Sequence, residues 1–494
     1  MISKWIKIVL SLLMVVVIIG GTFWQVKFNK DWRAEYAYAK GIDAMVYAFP
    51  YYLNSFLLYK ADMPYQKEIS ATGMVNKFRH SFELVNPKQY RDGGSPNRDT
   101  LYSASLIHAK AEPIILTVPP IPNDRYYTFE MAGFDSDNFA YVGKRTHGNK
   151  GGNYAIVPPG WKGVLPDDVE FLAENPTSWF LILGRTLVNP NDPQDEARVN
   201  ALQKQYKIVA LSDWGKGDWN KQTPPVPQHP AVNDLGELSH MIASGVSMVD
   251  FIKKMVISDP MSFWRVVNHA MTVNGVPARD QNHFYDWAKL HIGPNQDITK
   301  LSDSERDGLS RATLDGLLMM KDFSEGAYDA KQVNGWRYLD SALGRAGHKG
   351  AYMTRGALQS LKGIVANDAE ESVYLVMKKD QHDEVLNGES NYQIHFEAAQ
   401  LPNVKEFWSL TLYDKEGNLV LNPIDRYSLS DRSEGLVYGS DGSLTIHVGQ
   451  NTPAGNDTNW LPVDGEDFTL ILRAYGPGQD IIAQTWQPPN VRKI

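Results

Sequence analysis

The sequence predicts a mainly β protein with helical segments, of α+β type: two jelly-roll-like β-sandwich units, a helical insert between them, and an N-terminal membrane-anchor helix. Three observations carry that expectation. Short alternating or apolar runs punctuated by Pro and Gly fill two separate stretches, Thr100 to Arg185 and Tyr374 to Trp486. Helix-length apolar periodicity fills most of the chain between them, around Met255, Phe263, Trp264 and Val267 and again from Leu314 to Met320. An apolar run from Ile8 to Trp24 opens the chain, with Lys4 and Lys7 before it and Lys27 and Lys30 after it.

Each element follows from its own residues. The Ile8 to Trp24 run lies between the lengths of a signal-peptide core and a spanning helix, so its flanks decide. Gly20-Gly21-Thr22 leads into Phe23-Trp24 with no small-x-small cleavage pattern, and a Trp at that point suits a membrane interface. An uncleaved anchor over residues 1–30 is expected. It implies a single-pass inner-membrane protein with its globular part periplasmic or otherwise outside the cytoplasm. Asp31 to Lys60 reads as helical until Pro50 interrupts it. The first β-unit follows, with strands at Ile114 to Val118, Tyr126 to Met131, Tyr154 to Val157 and Phe180 to Leu183. Leu202 to Pro230 reads as a connector ending in a Pro-rich stretch. The expected divisions are 31–230 for the first helix and sandwich, 231–370 for the helical segment and 371–494 for the second sandwich.

The two β-units echo each other. IPNDRYYTFEMAGFD, Ile121 to Asp135, parallels LPNVKEFWSLTLYD, Leu401 to Asp414, and WFLILGR, Trp179 to Arg185, parallels FTLILR, Phe468 to Arg473. The matches occur in the same chain order, as a duplicated unit requires.

Composition excludes several classes of function. The 494 residues carry a formal net charge of -8 with both signs interspersed, which offers no footprint for nucleic acid. The absence of cysteine removes disulfides, thiolate nucleophiles, zinc–thiolate sites and iron–sulfur clusters. No G-x-S-x-G elbow, Rossmann or P-loop glycine pattern is present, nor a HExxH or acidic calcium-loop pattern. No local metal site is expected and no cofactor is indicated, although ligands from distant residues could still assemble one.

The polar stretch SPNRDTLYSAS, Ser95 to Ser105, sets Asn97, Arg98, Asp99 and Tyr102 close together. A guanidinium fork with an amide and a carboxylate can hold an anion or a sugar hydroxyl. The same groups also close turns onto backbone, and the stretch has a partial echo in NPIDRYSLS, Asn422 to Ser430, which favours a structural role. GKRTHG, Gly143 to Gly148, puts Arg145 and His147 on an apparent loop, and Trp336 and Trp460 sit among Asn, Gly and Pro as candidate stacking platforms.

These motifs also carry a resemblance. PNRDTLYS, EPIILTVPPIPNDRYYTFEM, the Gly143 to Thr146 element and PPGWKG resemble the bacterial domain-of-unknown-function family 1254. FWSLTLYDKEGNLVLNPIDRYSL, DGSLTI, NWLPV, FTLILRAYGP and TWQPP resemble its usual C-terminal companion, family 1214. The resemblance implies β-sandwich domains with intervening helices, often exported or envelope-associated, and no established activity.

Two readings of function stay open. In the first, the chain is an envelope enzyme acting on a glycan or organic acid in a cleft of the first β-domain. Asp99, Arg98 and Tyr102 form the catalytic set there, and Asn97, Arg145, His147, Trp336, Arg337 and Trp460 contact the substrate. In the second, the chain is a non-catalytic binding or scaffold protein and the same residues are internal ion pairs. The expected partners are a small-molecule or glycan ligand and the membrane through the N-terminal helix, with no nucleic acid; a homo-oligomer is compatible with the composition.

Overall fold

The computed structural model describes residues 30–62, 75–91, 94–216, 252, 256–326, 330–363, 365–453, 455 and 457–494. Its first element is α1, Trp32–Asp62. Its apolar side buries Met45, Phe49, Tyr52 and Phe56 against two later helices, α3 (Pro260–Asn274) and α4 (Asp303–Glu325). α4 opens on a capping box, in which Ser302 accepts from Glu305 N–H while the Glu305 carboxylate accepts from Ser302 N–H. The α1–α4 crossing is close because Gly308 has no side chain, and the Ala34 carbonyl of α1 occupies the space that a Cβ would take.

Pro50 does not end α1, contrary to expectation. Proline removes a helical donor and pushes on the carbonyls one turn upstream. Here the Tyr47 carbonyl accepts from Arg355 Nη2 at 2.9 Å, and the flanking Phe49 and Tyr51 are buried. Tertiary packing therefore carries the helix through the break.

The first sandwich has two sheets. One, in the order β1-β2-β8-β4-β5, is built from Arg79–His80, Thr100–His108, Trp179–Leu187, Tyr127–Gly133 and Asn138–Gly143. The other, β7-β6-β3-β9, is built from Glu170–Glu174, Gly152–Val157, Ile114–Val118 and Lys207–Ala210. Ile107, Phe129 and Ile182 from the first sheet share a core with Leu116 and Ile156 from the second. β9 lies inside the expected connector: Ala210 to Lys207 pair with Ile114 to Thr117 and complete a sheet.

The second sandwich repeats this plan. β10 (Gln332–Val333) and β11 (Trp336–Tyr338) flank β12 (Ser372–Met377), β18 (Phe468–Pro477), β14 (Val404–Asp414) and β15 (Ser428–Ser430) in the order β10-β11-β12-β18-β14-β15. The facing sheet is β17-β16-β13-β19, from Trp460–Pro462, Leu444–Gly449, Tyr392–Phe396 and Val491–Lys493. Leu375, Leu410 and Leu472 meet Ile394 and Ile446 in its core.

Taken from β2 and from β12, the strand orders of the two units coincide, including one parallel pair in each, β6 with β7 and β16 with β17. The registers coincide as well. Arg185 lies between Tyr102 and Thr128, and Arg473 lies between Tyr374 and Ser409. The Pro-Asn motifs align with an offset one residue smaller than these registers do. The bulge between Val404 and Phe407 supplies the extra residue.

The expected fold class is corrected in two respects. Jelly rolls are antiparallel throughout, and the parallel pairs exclude that topology for both units. No helix among the described residues is long and apolar enough to cross a membrane, and α1 carries Arg33, Glu35, Lys40 and Asp43. The expectation of a single-pass inner-membrane protein with a periplasmic body is therefore not supported. The run Ile8 to Trp24 that prompted it lies outside the described residues.

Candidate functional site

The residues of SPNRDTLYSAS knit the two sandwiches together. Asn97 is buried, and its Oδ1 accepts from the N–H of Asp99 and of Thr100 at 2.9 and 3.0 Å, the turn-closing geometry of a short amide side chain. Its Nδ2 donates to the Tyr102 hydroxyl at 2.6 Å. Burial raises the Tyr102 phenol above its ordinary pKa. Arg98 donates to the Val85 carbonyl at 2.6 Å and covers the Tyr427 ring, and burial lowers its pKa. Asp99 accepts from Ser409 Oγ at 2.7 Å and from Arg432 Nη2 at 3.0 Å, both in the second sandwich.

This arrangement has a counterpart related by the duplication. Glu371, just before β12 as Asp99 is just before β2, accepts from the Tyr126 hydroxyl at 2.7 Å and from Arg145 Nε at 2.6 Å, both in the first sandwich. Arg145 lies two residues past the end of β5, and Arg432 lies two past the end of β15. Two reciprocal ion pairs therefore cross one interface, with Tyr126, Phe407 and Tyr475 packed between them. The interface is a near-twofold contact between copies of one unit.

The remaining predicted residues, His147, Trp336, Arg337 and Trp460, are spread over three places, the turn that carries Arg145, the strand β11 and the start of β17. His147 sits on a helical turn, Lys144–His147, with its ring against Tyr154 and its Nδ1 2.7 Å from Thr146 Oγ1, and burial lowers its pKa. Trp336 is fully buried and donates from Nε1 to the Pro489 carbonyl at 2.7 Å, so it is a core residue. Arg337 is half-buried in β11, where burial lowers its pKa, and Trp460 donates to the Gly449 carbonyl at 2.8 Å. Among the described residues no cleft gathers Asp99 with Arg145 or Trp336.

A denser ionisable cluster lies at the other end of the first sandwich, where the β4–β5 turn meets the helices. Asp135 and Asp137 on that turn and Asp280 after α3 are all buried. Two guanidiniums serve them. Arg279 Nη2 donates to Asp135 at 2.7 Å and to Asp137 at 2.6 Å. Arg355, fully buried on the helical turn Tyr352–Gly356, places Nη1 3.4 Å from Asp135 Oδ2 and 3.8 Å from Asp137 Oδ2. Asp280 accepts from the Tyr352 hydroxyl at 2.7 Å and from the Tyr47 hydroxyl at 3.0 Å.

The rim of the cluster reaches solvent. Arg279 and His348 are 25% and 40% exposed at the side chain, and His348 Nδ1 stands 3.6 Å from Asp137 Oδ2. His283 Nε2 lies 3.2 Å from the Tyr352 hydroxyl. Gly347 donates its N–H to Asp137 Oδ1 at 2.9 Å, and a Cβ there would strike the same carboxylate.

Three carboxyl groups face two guanidiniums, and the two on the turn respond differently to their surroundings. Burial, with the neighbouring Asp137, raises the Asp135 pKa. Burial also pushes Asp137 upward, but the His348 hydrogen bond, the Arg355 charge, the Gly347 N–H and Arg279 outweigh it and leave Asp137 below its ordinary value. Two neighbouring carboxyls shifted in opposite directions are a pairing suited to acid–base chemistry. Among the described residues no group of His, Asp and Glu is arranged to hold a metal ion.

Sequence reasoning passed over this cluster because its members lie far apart in the chain. The local signal was GFDSDN, two aspartates at the exit of a fully buried strand. Along the sequence Asp135 is marked only as the exit of a repeated strand.

The family described as "Protein of unknown function (DUF1254)" matches residues 75–210, and "Protein of unknown function (DUF1214)" matches residues 371–479. The two matches fall on the two sandwiches. No curated protein matches the chain. The crystal structure of the VPA0106 protein from Vibrio parahaemolyticus is similar at 20% identity with a TM-score of 0.66, over 92% of this chain and 100% of that one. A putative uncharacterized protein from Burkholderia cenocepacia is similar at 13% identity with a TM-score of 0.43, over 93% of this chain and 96% of that one. The first likeness shows a shared fold.

Proposed function

We propose that this chain is an enzyme performing acid–base chemistry on a small organic acid at the rim of the Asp135–Asp137–Asp280 cluster. The observation that carries the reading is the meeting of three buried aspartates with two arginines at a rim where Arg279 and His348 reach solvent, the Asp135 and Asp137 carboxyls being pushed in opposite directions by their surroundings. In this reading the exposed edge of Arg279 receives the substrate carboxylate. His348, oriented by Asp137, exchanges a proton with the substrate. Arg355 and Tyr47, both buried, hold the aspartates in place.

The test incubates the full chain with a panel of hydroxy and keto acids between pH 5 and 8 and follows consumption by mass spectrometry. The expected result is turnover of at least one acid that His348→Gln abolishes while leaving the melting temperature unchanged. If no acid is consumed and none shifts the melting temperature, the reading fails.

A second reading is favoured by Asp280, which accepts from two tyrosine hydroxyls as a structural anchor would. There the cluster clamps the sandwich to the helices without chemistry. Under it, Asp135→Asn destabilises the fold and His348→Gln changes nothing.

A further inference from the structure

In each sandwich the smaller sheet has an outer side that turns away from the core, and the two units treat it differently. In the first, Ile115, Ala155 and Val157 on that side are buried beneath Trp161, Leu165 and Trp214. In the second, Tyr392, Ile394, Ile446 and Val448 face the core. The side-chain period of two therefore turns Asn391, Gln393 and His447 outward on β13 and β16. Strand pairing sets His447 beside Trp460, and the Ile494 N–H donates to the Asn391 carbonyl at 2.9 Å.

A cavity of about 280 Å³ opens on this outer side. Asn391, His447, Asn451, Thr452, Pro453 and Ile494 line it, with Tyr392 and Val448, whose side chains face the core, completing the wall. The chain after β16 bends back over the sheet, where the Asn451 N–H reaches Asn391 Oδ1 at 3.5 Å. Gly449 permits this, because a Cβ there would collide with Asn391 Oδ1. Among the described residues Asn391 Nδ2, the His447 ring and the side chains of Asn451 and Thr452 make no hydrogen bond within the chain.

The lining selects a class of ligand. It has no charged side chain, so an ion entering the cavity would lose water and find no counter-charge. Burial lowers the His447 pKa, and a neutral imidazole offers one donor and one acceptor. Each carboxamide and the Thr452 hydroxyl likewise both donate and accept. Hydroxyl groups of a sugar have the same double character, and the C–H face of the ring suits Pro453 and the Ile494 side chain. The volume falls just below the range of about 300–1,000 Å³ for drug-sized ligands, which fits a single ring. The half-buried Trp460, in register with His447 on the same face, stands where a further ring would stack.

We propose that the cavity on the outer side of the second sandwich binds one neutral sugar ring, with its hydroxyls on Asn391, His447, Asn451 and Thr452. The site lies apart from the acid–base cluster and does not rest on its function.

Saturation-transfer NMR on the full chain tests this, with methyl glucoside, methyl galactoside and N-acetylglucosamine as neutral probes and glucuronate and glucosamine as charged ones. Transfer to at least one neutral sugar is expected, with little to either charged one. His447→Leu should weaken that binding about tenfold, the equivalent of one lost hydrogen bond, at an unchanged melting temperature. Asn451→Ala, on the exposed loop, should weaken it in the same direction and keeps the test open if the first variant does not fold. No transfer to any neutral probe, stronger transfer to glucuronate or glucosamine, or an affinity unchanged in the folded variants would overturn the proposal.

Discussion

Asp99→Asn separates a catalytic from a structural role for the most conspicuous motif in the sequence. The carboxylate is buried and holds Ser409 Oγ at 2.7 Å and Arg432 Nη2 at 3.0 Å across the inter-sandwich contact. Asparagine keeps the shape, removes the charge and turns one acceptor into a donor. Arg432 then loses its carboxylate, and the buried Arg473 loses its nearest negative charge. Removing one partner of a buried ion pair costs about 3–5 kcal/mol. Because Arg432 retains 20% exposure, the lower end, about 3 kcal/mol, is expected. Equilibrium unfolding in urea, followed by tryptophan fluorescence, measures it. Glu371→Gln, which breaks the reciprocal pair, should shift stability in the same direction by less, since Arg145 is 35% exposed. A loss below about 1 kcal/mol for Asp99→Asn, the range of a surface pair, would refute the structural reasoning.

Arg185→Met leaves the fully buried Glu130 without its counter-charge and should cost about 3–5 kcal/mol, while Glu130→Leu with Arg185→Met should recover most of that loss in the same urea assay. Trp336→Phe removes the hydrogen bond to the Pro489 carbonyl and should cost about 1–3 kcal/mol by thermal unfolding. Ligand binding elsewhere should not change. Burial lowers the His80 pKa to about 4, so the unfolded chain takes up a proton near its ordinary value of about 6.5 and the folded chain does not. Stability should therefore fall as the pH drops from about 6.5 toward 4, and His80→Phe should flatten the melting profile in that window.

Much of the local structure could be read along the chain. Ile114 to Val118 is a strand with the expected bounds, and Tyr154 to Val157 and Phe180 to Leu183 lie inside strands that run a few residues further. Period-two patterning determines these directly. Misreadings came where packing overrides local preference. Pro50 sits inside a helix because its neighbours Phe49 and Tyr51 are buried in the core, which holds the helical path through the missing donor. Trp336, bounded by Gly335 and Arg337, looked like a loop platform and is a core residue because β11 pairs with β12. β9 went unseen because its four residues become a strand only when they pair with β3.

The sequence by itself determined the two β-units, their internal echo, and the turn chemistry of Asn97, since these depend on residues a few positions apart. Only the tertiary structure decided what the charged groups do. Asp99 meets Ser409 and Arg432 more than 300 positions away, and Asp135, Asp280 and Arg355 converge from three separate segments. A charge is stable inside a protein only beside its partner, and partnership is a property of distance in space, which neither spacing along the chain nor composition records.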